Sequence, residues 1–192
     1  MKVSDAVIQT LIEHGVTHVF VVPGGFSMHL NDSLNHSSIT PIYCLHESGA
    51  AFAACGYAAY SGKLGVCLVT SGPGSTNALT AVASAWQDSL PLLVISGDAK
   101  TDRIEAREKF QLRQGGQQDV PILKMAHSIT KTMRRFDYGF PDLPWLPIMI
   151  NTALAPRRGP VWLSIPLDVQ AQILILSAIR KEVEHENHQK DI

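Results

Sequence analysis

Apolar positions along the chain follow two periods in alternation. Thr17–Val22, Ile39–Leu45, Gly65–Thr70, Leu92–Ser96, Ser128–Thr132 and Val161–Ile165 are short runs, mostly apolar and often β-branched. They are continuous rather than alternating, as strands covered on both faces are. Between them lie longer segments with helical spacing. Val7, Ile8, Leu11 and Ile12 share one helix face, with Ser4 as the expected cap and Gly15 as the stop. Phe26–Leu34 predicts a short helix after Pro23-Gly24-Gly25, and Glu47–Tyr60 an alanine-rich helix closed near Gly62. Thr76–Gln87 predicts another after the turn Ser71-Gly72-Pro73-Gly74-Ser75, and Val120–Ala126 and Pro144–Ala155 complete the helices. Residues 98–119 are polar, contain Gly115-Gly116, and predict a long loop, of a kind that is usually functional or mobile. This alternation implies an α/β fold: a doubly wound, mostly parallel sheet of about six strands with helices on both faces. One domain is expected over residues 1–170, with 171–192 a polar C-terminal tail or the start of a linker.

Composition narrows the partners. The 192 residues suit one domain with an ample core, and 45% hydrophobic against 17% charged excludes disorder. A net charge of −1 provides no field for nucleic acid or anionic lipid, so neither is expected as a partner. Arg134-Arg135 and Arg157-Arg158 read as solvated doublets. Cys44, Cys55 and Cys67 lack CxxC spacing and read as small buried hydrophobes. Trp86, Trp145 and Trp162 read as core or interface aromatics. His185 and His188 have a metal-compatible spacing but sit in a polar tail, so no metal site is expected. No apolar run approaches the ~18 residues of a membrane span, and a charge-broken start makes cytoplasm the expected compartment.

In open parallel sheets ligands collect beyond the carboxyl ends of the strands. Three segments follow predicted strands here: Pro23-Gly24-Gly25, His46-Glu47-Ser48-Gly49 and Ser71-Gly72-Pro73-Gly74-Ser75-Thr76-Asn77. Two are glycine-rich, allowing close backbone approach, and the third carries Glu47 among small apolar residues. A carboxyl there is expected to be largely dry, which favours its protonated form and suits proton transfer near neutral pH. Negative charge at a helix start would also account for Glu47, and residue type alone does not separate the two roles.

The ordered strings Leu45-His46-Glu47-Ser48-Gly49-Ala50-Ala51, Gly56-Tyr57-Ala58, Gly65 through Gly74, and Thr76-Asn77-Ala78 carry a family resemblance. Val19-Phe20, Pro23-Gly24-Gly25, Gln117-Gln118-Asp119, Ile129-Thr130-Lys131 and Gly159-Pro160-Val161 fit the same order. Together they resemble the N-terminal pyrimidine-binding domain of acetolactate synthase-like enzymes that use thiamine diphosphate (ThDP).

The resemblance implies that Glu47 matches the glutamate that hydrogen-bonds the aminopyrimidine ring nitrogen of ThDP. That contact activates carbon-2 of the cofactor for attack on a 2-oxo acid, with the cofactor as electron sink. By the same carry-over Pro23 and Gly24 line the cofactor pocket, Gly72, Pro73 and Asn77 border the pyrimidine, and Gln117 sits near the reacting carbon. His46 receives no role. Family members also carry a second domain that holds the diphosphate through Mg2+, marked by Gly-Asp-Gly and a later Asn. The nearest string here, Gly97-Asp98-Ala99, is misplaced. A partner subunit or a missing C-terminal part would therefore supply that domain, and the chain alone would be inactive. The resemblance also implies a homodimer through the pyrimidine domain, with the Ala-rich helices close-packed.

Three positions depart from authentic acetolactate synthases. Leu167 stands where they usually have Lys, Gly116 where they have Phe, and Cys55 where Asp is frequent. The Leu167 form resembles relatives acting on sugar or other 2-oxo acid substrates, and Cys55 reads as a packing change. Two other functions fit parts of the pattern. Gly72-Pro73-Gly74-Ser75-Thr76-Asn77 with Asp98 imitates a dinucleotide fingerprint, though imperfectly. A detached domain that dimerises with or regulates a homologue fits the lack of a diphosphate signature.

Overall fold

The computed structural model describes residues 1–139 and 143–174. The elements are α1 (Val3–Glu13), β1 (His18–Val21), a 3₁₀ turn (Gly25–Ser27) running into α2 (Met28–Asn35), β2 (Thr40–Tyr43), α3 (Glu47–Ser61) and β3 (Gly65–Val69). Then follow α4 (Pro73–Gln87), β4 (Leu92–Asp98), α5 (Thr101–Lys109), α6 (Ile122–Ala126), a 3₁₀ turn (His127–Ile129), β5 (Thr132–Arg135), α7 (Trp145–Leu154), β6 (Val161–Pro166) and α8 (Leu167–Ala171). The six strands form one sheet in the order β2-β1-β3-β4-β6-β5, and all five pairings are parallel. This is the doubly wound α/β sheet the patterning implies.

Period two within the strands divides the core between the faces. Val19, Val21, Val66, Leu68, Leu93, Ile95, Leu163 and Ile165 pack with α1, α2 and α7. Cys67, Val69, Leu92, Val94 and Trp162 pack with α3, α4 and α6. Both sets are buried, so β3, β4 and β6 read as unbroken apolar runs. On the second face Ala50, Ala51, Ala54, Ala78, Ala81 and Ala85 are fully buried, and the Cys55 thiol lies 3.7 Å from the Ala81 carbonyl oxygen. The alanines of α3 and α4 are thus used within the chain, against each other and the sheet. Burial pushes the Cys55 thiol up to about 11, in keeping with a packing role. Cys67 is buried as well, while Cys44 is only half-buried.

Several local readings differ from the sequence expectation. The segment 98–119 is not one loop, because β4 runs to Asp98 and α5 occupies Thr101–Lys109. α5 is polar except for Ile104 and Ala106, which hid its helical period. The fifth strand begins at Thr132, after a 3₁₀ turn rather than at Ser128. Ser4 does not cap α1; it is buried and accepts a hydrogen bond from Ser33, while the Lys2 backbone N–H donates to Asp5 at 2.9 Å. The arginine doublet at 134–135 is engaged rather than solvated: Arg134 stacks over Trp145 at 4.2 Å, and Arg135 pairs with Glu108 at 3.0 Å. Trp162 is buried and donates to Ser96, whereas Trp86 and Trp145 are partly exposed. Beyond Gln170 the chain still pairs with its start, the Leu174 N–H donating to the Met1 carbonyl. The polar tail with His185 and His188 lies outside the described residues.

Candidate functional site

The winding of the sheet reverses at β1, whose neighbours β2 and β3 lie on opposite sides. A crevice therefore opens beyond the carboxyl ends of β1 and β3. Register brings the right residues to that edge, since Val21 pairs with both Tyr43 and Leu68. Pro23-Gly24 leaves β1, Glu47 follows β2, and Ser71-Gly72-Pro73-Gly74 follows β3.

Each turn is built for close backbone approach. A Cβ on Gly24 would lie 2.4 Å from Thr70 Cβ, so the turn after β1 rests directly on the end of β3. The Phe26 N–H donates to Thr70 Oγ1 at 3.2 Å and fixes that contact. Gly72 has φ +62°, and a Cβ there would lie 2.2 Å from the Gln118 carbonyl oxygen. Pro73 at the first helical position starts α4 earlier than expected, with Thr76 N–H closing on Gly72 O at 2.9 Å.

Glu47 opens α3, whose cap is the His46 ring accepting from the Ser48 N–H at 3.1 Å. Its carboxyl reaches the first turn of α4. Asn77 Nδ2 donates to Glu47 Oε2 at 2.9 Å, and the Gly74 backbone lies close enough that an added Cβ would be 3.2 Å from Oε1. The carboxyl thus faces the positive ends of two helices. It is half-buried rather than dry. The reason is geometric: β2 is an edge strand, and Tyr43 and Leu45 beside the cleft are exposed, Leu45 fully.

Of the residues expected at the site, Glu47 and Asn77 touch. Gly24 and Gly72 frame the crevice at its two turns, and Pro23 and Pro73 are exposed beside them. Gln117 is exposed, and it is its neighbour Gln118 whose carbonyl oxygen abuts Gly72.

Sequence reasoning missed three features nearby. Ser71 is buried with no hydrogen-bond partner for its hydroxyl. Arg107 and Asp119 form a buried ion pair at 2.6 Å. No local signal marked it, because α5 buries only Ile104 and Arg107 and the partner Asp119 lies beyond the next turn. Asp98, at the end of β4, is buried and accepts from Ser164 at 2.7 Å and from the Ala99 N–H at 2.8 Å. Burial holds its carboxyl above the usual range, and the Asp119 charge adds to this against the Ser164 and Ala99 hydrogen bonds and the Arg107 charge. An open cleft of about 420 Å³ borders Asp98, Arg107 and Arg135 and contains none of the expected site residues.

A parallel sheet with a carboxylate and bare backbone at its switch point defines an α/β domain built to receive a small-molecule cofactor. The comparisons agree. The family model described as "Thiamine pyrophosphate enzyme, N-terminal TPP binding domain" matches residues 1–125. The chain is 40% identical over 181 residues to "Probable acetolactate synthase 2, chloroplastic" of Oryza sativa subsp. japonica, covering 92% of this chain and 26% of the relative. It is 38% identical over 179 residues to "Acetolactate synthase, chloroplastic" of Arabidopsis thaliana, covering 91% and 25%. The chain belongs to the thiamine pyrophosphate enzyme N-terminal domain family. It spans about a quarter of the length of the curated relatives it matches. Those relatives are named as chloroplastic, and no described helix is long and apolar enough to cross a membrane.

Proposed function

We propose that this chain is the pyrimidine-binding half of a ThDP-dependent enzyme that decarboxylates a 2-oxo acid and transfers or ligates the product. The observation that carries the reading is the Glu47–Asn77 contact at the switch point. Asn77 occupies one carboxyl oxygen, and Oε1 has no hydrogen-bond partner among the described residues. A carboxyl so held fits a heteroaromatic ring nitrogen. When bound, ThDP would supply the electron sink for decarboxylation. Glu47 holds and shares the proton at that ring nitrogen, and Asn77 keeps the carboxyl aimed. Pro23, Gly24, Gly72 and Pro73 would wall the ring, with Gln117 toward the substrate.

The diphosphate and its Mg2+ fall to a domain contributed by a partner or by further length of the protein, and this chain alone is inactive. The relatives are named acetolactate synthases, but a Cβ at Gly116 would lie 3.1 Å from Arg103 Cβ, so a larger side chain there would require the Arg103 side chain to give way. That favours a 2-oxo acid pocket different from theirs. A second copy of the chain is the proposed cover for the cleft. α3 carries no charge after Glu47, yet Gly49, Phe52, Gly56, Ala59 and Tyr60 are exposed along it. A helix apolar on every side is normally enclosed. Cytoplasm is kept as the proposed compartment, to be tested by fractionation.

The test is Glu47→Gln in the enzyme reconstituted with its diphosphate-binding domain, ThDP and Mg2+, followed by carbon-2 proton exchange of the bound cofactor. Exchange slows by about 10²–10⁴-fold, the range of a lost general acid–base group. Unchanged exchange removes Glu47 from this role. Calorimetry on the chain alone should show only weak ThDP binding.

A further inference from the structure

The loop carrying Gln117 is held by a latch outside the crevice. Asp119 is fully buried in its side chain and Arg107 nearly so, their charged atoms 2.6 Å apart. The second oxygen of Asp119 accepts from the Gly115 N–H at 3.0 Å, folding residues 115–119 into a tight turn. That turn is pressed onto α5, since a Cβ on Gly115 would lie 2.1 Å from the Arg103 carbonyl oxygen. Its outcome is Gln118 at φ +55°, a conformation non-glycine residues seldom adopt, with its carbonyl oxygen against Gly72. α5, the ion pair, the strained residue and the glycine turn therefore form one continuous contact chain ending at the N-terminus of α4.

We infer that Arg107 and Asp119 are positioning residues that set the placement of the Gln117-Gln118 segment beside the Gly72 turn of the crevice. This rests on the thiamine reading of the site. The latch acts on substrate orientation and leaves cofactor activation by Glu47 untouched, because Glu47 is fixed separately by Asn77. Misplacing a reacting group by about 1 Å costs on the order of a hundredfold in rate.

The experiment uses the enzyme reconstituted with its diphosphate-binding domain, ThDP and Mg2+. Asp119→Asn keeps an acceptor for Gly115 but removes the charge. Arg107→Met/Asp119→Asn removes both charges, leaving none buried alone, and separates positioning from stability. Three quantities are measured: hydrogen exchange of the 110–119 amides, carbon-2 exchange of bound ThDP, and kcat/KM for pyruvate as the probe 2-oxo acid. In both variants the loop amides should exchange at least tenfold faster and kcat/KM should fall on the order of a hundredfold. Carbon-2 exchange should stay within twofold of the parent. Adding Gln117→Ala to either should cost little more, since the three residues act as a unit. Unchanged amide exchange overturns the inference. So does a charge-free double variant that regains both thermal stability and kcat/KM, because the pair would then serve stability alone. If instead Glu47→Gln leaves carbon-2 exchange unchanged, the thiamine reading fails and the latch is judged on the amide exchange.

Discussion

Gly72 offers the sharpest physical test of the crevice, because a matched control exists in the same molecule. Gly72 and Gly62 both have positive φ, +62° and +70°. A Cβ on Gly62 meets nothing within 4 Å, so Gly62→Ala should cost only the left-handed backbone penalty, about 1 kcal/mol. At Gly72 the ψ of −123° places the residue outside the left-handed helical region as well, a conformation worth about 1–3 kcal/mol for any other residue. The added carbon would also lie 2.2 Å from the Gln118 carbonyl oxygen and 2.9 Å from its carbon. These are backbone atoms that cannot rotate away, so overpacking adds about 1–3 kcal/mol. Gly72→Ala should therefore cost about 4 kcal/mol against about 1 for Gly62→Ala. At about 2–4 °C per kcal/mol for a chain of this size, the melting temperature falls by about 8–16 °C against 2–4 °C. Thermal melts by circular dichroism, with urea midpoints to check that m is constant, read both values. The reasoning is refuted if the two variants melt within about 2 °C of each other.

The buried Asp98 makes a pH-dependent prediction. Its folded carboxyl keeps its proton to higher pH than the unfolded chain does, so the native state binds more protons in that window. Its favourable contribution is complete below the ordinary carboxylate range, near pH ~4, and is lost as pH rises through the folded value. Asp98→Asn should accordingly raise the melting temperature relative to the parent most near neutral pH, with the gap closing toward pH ~4; a gap that widens on acidification would contradict this. Phe52→Asp, on the exposed face of α3, should shift the protein from dimer to monomer by light scattering while leaving its melting profile two-state. A dimer that persists at micromolar concentration argues for another interface.

How much was legible in the sequence follows from what each signal measures. β3, β4 and β6 announced themselves because both their faces are covered, and a short, unbroken apolar run between turn residues is the mark such burial leaves. α5 did not, because a helix that buries only Ile104 and Arg107 shows almost no apolar period. A buried Arg in a helix is recognisable only through its partner, and Asp119 is separated from Arg107 by an intervening turn. The site divides the same way. Glycines at 24 and 72 could be read as places of close approach, but not what approaches them. Thr70 does so at one and Gln118 at the other, and both answers depend on strand order. The expectation of a dry Glu47 failed for a related reason: local composition describes neighbours along the chain, whereas solvent reaches Glu47 past an edge strand. That failure bears on function. The apolar residues exposed beside the cleft, Tyr43, Leu45 and Phe52, are those whose enclosure would dry the carboxyl. The surface proposed above to hold a second copy of the chain would then also exclude water from the carboxyl at position 47. On that proposal assembly and cofactor activation would be one physical event, so Phe52→Asp should weaken carbon-2 exchange along with the dimer, in proportion to the monomer formed.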